Sequence, residues 1–291
     1  MCTKYCTNMS KGNKKSVKIY IREKNFLKIL GKEDFNIEHI LQCGQFFTYE
    51  KTDGRWNVYS ADKKIVVEEI EEGYQIFCND LDWAENFFDL KTDYKKIKEE
   101  LANYEILKKP IEFGCGIRIL KQGIFETLIS FIISANNNIK RIQMIIKNIK
   151  QRFGSKVEDF YAFPTRQQLL QATEKDFFDL GAGYRAKYLY KVLREIDEKT
   201  LENWDRFTTE ELRKNLIGLS GVGPKVADCI MLFGYSRGDV FPVDTWINQM
   251  YNRFYEEDNN RQRIRKKLTE QFGFNSGYAQ QYLFYYMREQ N

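Results

Sequence analysis

Two residues in the second half of the chain could do chemistry together. Lys225 stands directly behind Gly221-Val222-Gly223-Pro224, and Asp244 follows nineteen residues later, after Pro242-Val243. A lysine amine becomes a good nucleophile when it is neutral, and burial or a nearby cation makes it so. A carboxylate beside it can stabilise positive charge that develops in a transition state. Each residue also has a plainer reading. Lys225 alone reads as a surface lysine that binds phosphate, and Asp244 alone as a helix N-cap, a role compatible with catalysis.

The elements around them are legible. Leu212, Leu216 and Ile217 make a short amphipathic helix, and residues 218–223 form a tight glycine turn. Pro224 suits the first turn of the next helix, where a missing N–H costs nothing. Two short helices joined in this way leave backbone N–H groups at a helix start, a ready phosphate site. Gly221 and Gly223 let the chain approach a nucleic-acid backbone closely, but such contacts carry no base sequence.

Further from this turn, the hydrophobic pattern divides the chain. Val17, Ile19 and Ile21 alternate with Lys18, Tyr20 and Arg22, as in a strand. Residues 46–78 read as a strand meander broken at Asp53-Gly54, Ala61-Asp62 and Glu72-Gly73. Two helices are expected in this first part, one of them over 94–104. After Gly116 the period becomes helical: Phe125, Leu128, Ile129 and Ile132, then Ile139, Ile142, Ile145 and Ile146. Thr165 reads as an N-cap, and helices are expected over 185–197, 209–217, 225–233, 245–255 and 275–287. The fold class is α+β: a polar tail over 1–15 expected to be disordered, an antiparallel β-sheet domain over 16–112, and a mostly α-helical domain over 113–291.

Composition narrows the chemistry. The chain has 291 residues, 43% of them hydrophobic, and a net charge of +5, which is compatible with nucleic acid without requiring it. A single histidine, His39, excludes a multi-histidine metal centre and disfavours a Ser-His-Asp triad. The six cysteines are scattered without a CxxC, which suits reduced thiols. Cys2 and Cys6 could pair or bind metal by accident, but a frayed tail is the expectation. No stretch reaches the length of a membrane span, and no secretory signal opens the chain, so no membrane partner and a cytoplasmic location are expected.

The run from Leu219 through Lys225, followed by Pro242-Val243-Asp244, resembles the helix–hairpin–helix and Gly/Pro-Asp signature of DNA base-excision glycosylases. A lysine at this position is similar to that of the bifunctional members. There the amine attacks the anomeric carbon, expels the base and leaves a Schiff base that β-eliminates. No cysteine follows Cys229, so the iron–sulfur cluster of endonuclease III-like members is not expected, and no cofactor is implied. Four further segments resemble 8-oxoguanine DNA glycosylases: CGQFF at 43–47, residues 115–142 with their Asn136-Asn137-Asn138 run, GAGYRAKYL at 181–189, and GYAQQYLF at 277–284.

The resemblance implies roles residue by residue. Gly44 would offer its carbonyl to the N7–H of 8-oxoguanine, where guanine has a bare acceptor. Cys229 and Phe284 would sandwich the flipped base, and Gln280 would read its Watson–Crick edge. Asn136 and Tyr184 would fill the gap left in the duplex, while Arg141 and Arg185 would read the orphaned cytosine. Carbonyls of Ile217, Leu219 and Val222 match positions of an optional structural cation. Each has an ordinary alternative: a turn glycine, a small core cysteine, a solvated glutamine, arginines on phosphate. Two departures stand out. Gly123-Ile124 replaces an Asp-Pro before Glu126, which bears on a helix start, and Trp246 replaces a phosphate-side histidine of eukaryotic members. Short loops resemble bacterial or archaeal members, whose site of action would be the nucleoid. The implied partner is double-stranded DNA carrying oxidised guanine, and a monomer is the default. An alkylpurine glycosylase of the same fold and a non-catalytic DNA-binding module are the alternatives; Lys225 argues against the first, and Lys225, Asp244, Gly44, Gln280 and Phe284 together argue against the second.

Overall fold

The computed structural model describes residues 19–290. The tail over 1–15, with Cys2 and Cys6, and the start of the first expected strand at Val17 and Lys18 lie outside the described residues. Six strands, β1 (Tyr20–Arg22), β2 (Phe26–Leu30), β3 (Tyr49–Thr52), β4 (Arg55–Ser60), β5 (Lys63–Ile70) and β6 (Gly73–Phe77), form one antiparallel sheet in the order β1-β2-β6-β5-β4-β3. The register pairs Val58 with Ile65, Val67 with Ile76 and Ile29 with Tyr74, so alternate apolar side chains share one buried face. The first two expected turns fall at Asp53-Gly54 and Ala61-Asp62, whereas the third is Glu71-Glu72 and Gly73 already belongs to β6. On β1 the alternation is incomplete: Ile21 is 45% exposed, while Tyr20, like the preceding Ile19, packs against the sheet core. β1 is a three-residue edge strand that pairs only with β2, so little packing enforces its alternation.

Four helices accompany the sheet, α1 (Ile37–Gln42), α2 (Leu81–Phe87), α3 (Tyr94–Leu101) and α4 (Glu105–Phe113), twice the number expected. α1 and α2 have six and seven residues, too few for a helical period to show, yet each is capped by a side chain, Asn36 or Asp80. Eleven more helices follow: α5 (Ile124–Ser134), α6 (Ile139–Phe153), α7 (Arg166–Leu169), α8 (Glu174–Phe177), α9 (Ala186–Glu195), α10 (Glu198–Asn203), α11 (Thr209–Ile217), α12 (Pro224–Phe233), α13 (Thr245–Phe254), α14 (Arg261–Phe272) and α15 (Ser276–Glu289). A small two-stranded ribbon, β7 (Lys156–Val157) and β8 (Phe160–Tyr161), interrupts them. Thr165 caps α7 in a reciprocal capping box with Gln168, and Thr208 does the same for α11 with Glu211. α5 starts at Ile124 behind Gly123 without a side-chain cap.

Three hydrophobic clusters hold the molecule together. One lies mainly among the helices from α5 to α12 and takes in Phe47 from before β3, and one lies under the sheet. The third joins Cys43, Leu107 and Ile117 to Phe241, Ile247, Leu268, Tyr282 and Leu283, so the last helices of the chain return to its first third. A second tie is Glu126 of α5, whose Oε2 accepts from Ser60 Oγ at 2.9 Å and from the Ala61 N–H at 3.0 Å. No helix among the described residues is long and apolar enough to cross a membrane.

Candidate active site

The glycine turn after α11 is a packed hairpin. The Val222 N–H donates to the Leu219 carbonyl at 3.1 Å. Gly221 has φ +82°, and a Cβ there would stand 2.7 Å from Cβ of Tyr188, so only glycine lets the turn lie against α9. Ser220 is held by Glu195, through its N–H at 2.8 Å and its hydroxyl at 2.5 Å. Gly223, exposed and with open space around its Cα, is the N-cap of α12, and no side chain caps that helix. Its first-turn N–H groups are therefore left without a side-chain acceptor, as an anion site requires.

Lys225 sits in this first turn of α12. Its Nζ lies 5.5 Å from the centroid of Phe131, on α5. One helical turn on is Cys229, buried, whose thiol is pushed up to about 11 by desolvation while the charge and hydrogen bond of Lys225 oppose the rise. Asp244 is the N-cap of α13, its Oδ1 accepting from the Ile247 N–H at 2.9 Å. Burial raises its carboxyl above the usual range, and the Ile247 N–H and the charges of Lys225 and Arg261 work against this. Lys225 and Asp244 thus stand at two helix starts, with the charge of the amine acting on the carboxyl. A cavity of about 230 Å³ opens beside them, lined by Gly223, Lys225, Asp228, Val243, Arg261 and Arg265 among others. Arg261, which the sequence reading missed, donates from Nη2 to Thr245 Oγ1 at 3.3 Å. Among the described residues no three His, Cys, Asp or Glu side chains group as metal ligands.

The base-pocket residues gather on a second surface. Phe284 and Gly44 come together where α15 crosses the loop after α1, and Gln280 lies one helical turn before Phe284. A Cβ on Gly44 would stand 3.0 Å from the Phe284 ring, and Gly44 itself has φ +84°. Gln281 anchors this loop by donating to the Cys43 carbonyl at 2.7 Å, and Gln122 donates to the Gln45 carbonyl at 2.8 Å. Gln45 in turn donates to the Arg118 carbonyl and accepts from the Leu120 N–H. Gly44 is therefore clamped from both sides by amides separated from it by scores of residues, a partnership that no local period reveals. Gln280 is 5% exposed, and its Oε1 is buried without a hydrogen-bond partner. The two surfaces meet through Phe131: Lys225 lies over its ring, and Phe47, three residues after Gly44, packs edge-on against it at 5.6 Å.

The gap-facing residues form a third group. Asn136 takes φ +49° in the turn between α5 and α6, exposed. Tyr184, 55% exposed, donates its hydroxyl to the Ala135 carbonyl at 3.1 Å. Arg185 is buried, and its guanidinium donates to the carbonyls of Ala135, Asn136 and Ala182 and stacks on Tyr184 at 4.4 Å. Arg141 is exposed and reaches the Gly181 carbonyl at 3.4 Å.

Comparison with known proteins agrees with this architecture. Residues 28–128 match the family model of the 8-oxoguanine DNA glycosylase N-terminal domain, and residues 129–273 that of the HhH-GPD superfamily of base excision DNA repair proteins. A Methanothermobacter thermautotrophicus protein named "Probable N-glycosylase/DNA lyase" is 31% identical over 70% of this chain and 73% of its own length. The N-glycosylase/DNA lyase of Saccharomyces cerevisiae is 36% identical over 53% of this chain, a match that spans 46% of the yeast protein. The crystal structure of Clostridium acetobutylicum 8-oxoguanine glycosylase/lyase, in complex with double-stranded DNA containing cytosine opposite 8-oxoguanine, is 40% identical, with a TM-score of 0.87 over 94% of this chain and 98% of that one. The chain belongs to the N-glycosylase/DNA lyase family, as a helix–hairpin–helix protein with the 8-oxoguanine glycosylase type of N-terminal domain.

Proposed function

We propose that this protein is a bifunctional DNA glycosylase and AP lyase that removes 8-oxoguanine from duplex DNA, with cytosine preferred opposite the lesion. The observation that carries the reading is the placement of Lys225 beside Asp244, behind a hairpin whose following helix has no side-chain cap. The open N–H groups at Gly223 and beyond bind a backbone phosphate, and this brings a flipped nucleotide to Lys225. The amine of Lys225 bonds to C1′ as the glycosidic bond breaks, its electron pair leaving with the base, which takes up a proton. Asp244 stabilises the positive charge on the sugar during this step. The amine adduct opens to a Schiff base, loss of the C2′ proton expels the 3′ phosphate, and the strand is cut. No cofactor is needed for these steps, and a cation at the carbonyls of Ile217, Leu219 and Val222 would be structural.

Lesion choice rests on Gly44, Gln280, Phe284 and Cys229. The Gly44 carbonyl accepts the N7–H that 8-oxoguanine has and guanine lacks. Gln280 Oε1 finds in the base the donor that the protein alone does not give it. A buried polar group left unpaired by the wrong ligand discriminates strongly. Asn136 and Tyr184 fill the vacated space, and Arg141 and Arg185 read the opposite base. The Clostridium enzyme, bound to DNA with cytosine opposite 8-oxoguanine, supports that preference. Such a repair activity belongs where the chromosome lies, in the cytoplasm of a bacterium or archaeon.

Borohydride trapping on a duplex with one 8-oxoguanine opposite cytosine tests the reading. Wild type is expected to give a covalent adduct, and Lys225→Gln none, while the variant still binds the duplex. Base release that survives Lys225→Gln would overturn the mechanism.

A further inference from the structure

Arg288 continues the line of Gln280 and Phe284 along α15, since residues at every fourth position share one face. Its side chain is 17% exposed. Nη2 donates to the Gln42 carbonyl at 2.5 Å, and Nε and Nη2 both donate to Glu289 Oε1. Nη1 is different. It is buried without a hydrogen-bond partner and stands 3.0 Å from the position a Cβ on Gly44 would take. The guanidinium lies 5.6 Å from the centroid of Phe284 and 5.3 Å from that of Tyr285.

A buried guanidinium N–H with nothing to donate to is costly. Here it shares one face of α15 with a second unpaired atom of opposite kind, the acceptor Gln280 Oε1. Both flank Phe284, on which the base would stack. The edge of 8-oxoguanine around N7 runs acceptor, donor, acceptor: the C6 oxygen, N7–H and the C8 oxygen. Gly44 supplies an acceptor for the middle group, and Arg288 Nη1 beside it supplies a donor for a neighbouring oxygen. We propose that Arg288 is a further lesion-binding residue, donating through Nη1 to a carbonyl oxygen of the flipped oxidised purine. The proposal rests on the pocket assignment made above. It extends recognition of the N7 edge from one contact to two, of opposite polarity.

Arg288→Met tests it, with two reactions measured for wild type and variant under single-turnover conditions. One is excision of 8-oxoguanine opposite cytosine, and the other is cleavage of the same duplex carrying a preformed abasic site. The expected result is a loss of about tenfold or more in excision, the worth of one charge-assisted hydrogen bond, with the abasic duplex cut as before. Loss in both reactions would make Arg288 a tie between α15 and the Gln42 carbonyl and overturn the proposal. Loss in neither would overturn it as well. A wild type that cuts the abasic site but does not release 8-oxoguanine would instead remove the pocket assignment on which it rests. Binding in a Lys225→Gln background then assigns the atom. 8-Oxoadenine keeps the C8 oxygen and has an amino group at C6, so an equal loss of affinity marks C8, and a loss confined to 8-oxoguanine marks C6.

Discussion

The two surfaces that would face a damaged duplex are built on opposite principles. On the gap side, polar groups are satisfied by the protein itself. Arg185 spends its donors on three loop carbonyls, and Asn138 caps α6 through the Arg141 N–H. On the base side, Gln280 Oε1 and Arg288 Nη1 are buried and unpaired. Each such group costs about 1–3 kcal/mol, so the base side carries a cost that the Arg185 contacts of the gap side do not. The difference teaches which surface waits for its partner. A turn that must wedge into DNA gains from being fixed beforehand. A pocket that, as proposed, refuses guanine would gain from groups that only the right base completes.

Asp228, on α12, lies between these extremes and has the largest expected effect. It has a partner, Arg213 Nη1 at 2.6 Å, and the two side chains are only 2% and 7% exposed. Burial still raises its carboxyl to about 7, against the charges of Arg213 and Arg265 and with that of Glu210. Asp228→Ala would strand Arg213 and cost roughly 3–5 kcal/mol. Asp228→Asn keeps an acceptor and removes the titration. The folded state holds this proton more tightly than the unfolded one, whose ordinary value is 3.8. Its contribution to stability is therefore full below that value and is lost as pH rises toward 7. The difference between wild type and Asp228→Asn isolates this, since Asp258, held down to about 2 by Arg263, titrates in the opposite sense. Denaturant melts at pH 4, 5.5 and 7 are expected to show wild type losing ground to the variant as pH rises. A constant difference would mean that Asp228 is charged throughout and as fully satisfied as Arg185.

Arg185→Ala probes the satisfied surface directly. It removes the donors to the Ala135, Asn136 and Ala182 carbonyls, and about 3 kcal/mol of stability is expected to go with them. In a chain of this size that is a fall in Tm of roughly 6–12 °C. Discrimination for cytosine would weaken too, because Asn136 would lose its fixed position. An unchanged Tm with cytosine selectivity lost would mean that Arg185 serves the DNA and not the turn.

How far these surfaces could be read from the chain alone follows the same division. Lys225, Asp244 and Thr165 are local signals, a glycine turn and two caps, and they lie where spacing put them. α14 is hard to read from sequence because its apolar residues, Ile264, Leu268 and Phe272, form a single narrow stripe in an otherwise charged segment. Arg261 and Arg265 were missed with it. Arg185 is expected to read the orphaned cytosine, and what the spacing does not carry is its hold on the Ala135 carbonyl fifty residues away. The clamp of Gln281 on Cys43 closes over 238 residues. Periodicity assigns a side chain to a face, and the partner of that face is set by tertiary packing, which the pattern does not carry.

Gln280→Leu has the smallest effect on the protein alone and separates the two surfaces most clearly. Leucine has nearly the same volume and no acceptor to leave unpaired. Removing Oε1 from a site 5% exposed takes away a desolvation cost without taking away a bond. The apo protein is expected to hold its stability or gain up to about 1 kcal/mol, a rise in Tm of roughly 2–4 °C. Excision of 8-oxoguanine is expected to fall roughly 10- to 100-fold, since the base would bury its own donor against a methyl group. Tm and single-turnover excision on one preparation decide it. The opposite signs are the test: a residue that held the fold would lower both, as Arg185→Ala is expected to lower Tm, whereas one kept for a ligand lowers excision alone. A substantial fall in Tm would show that Gln280 is already satisfied in the unbound protein, and the contrast between the two surfaces would close.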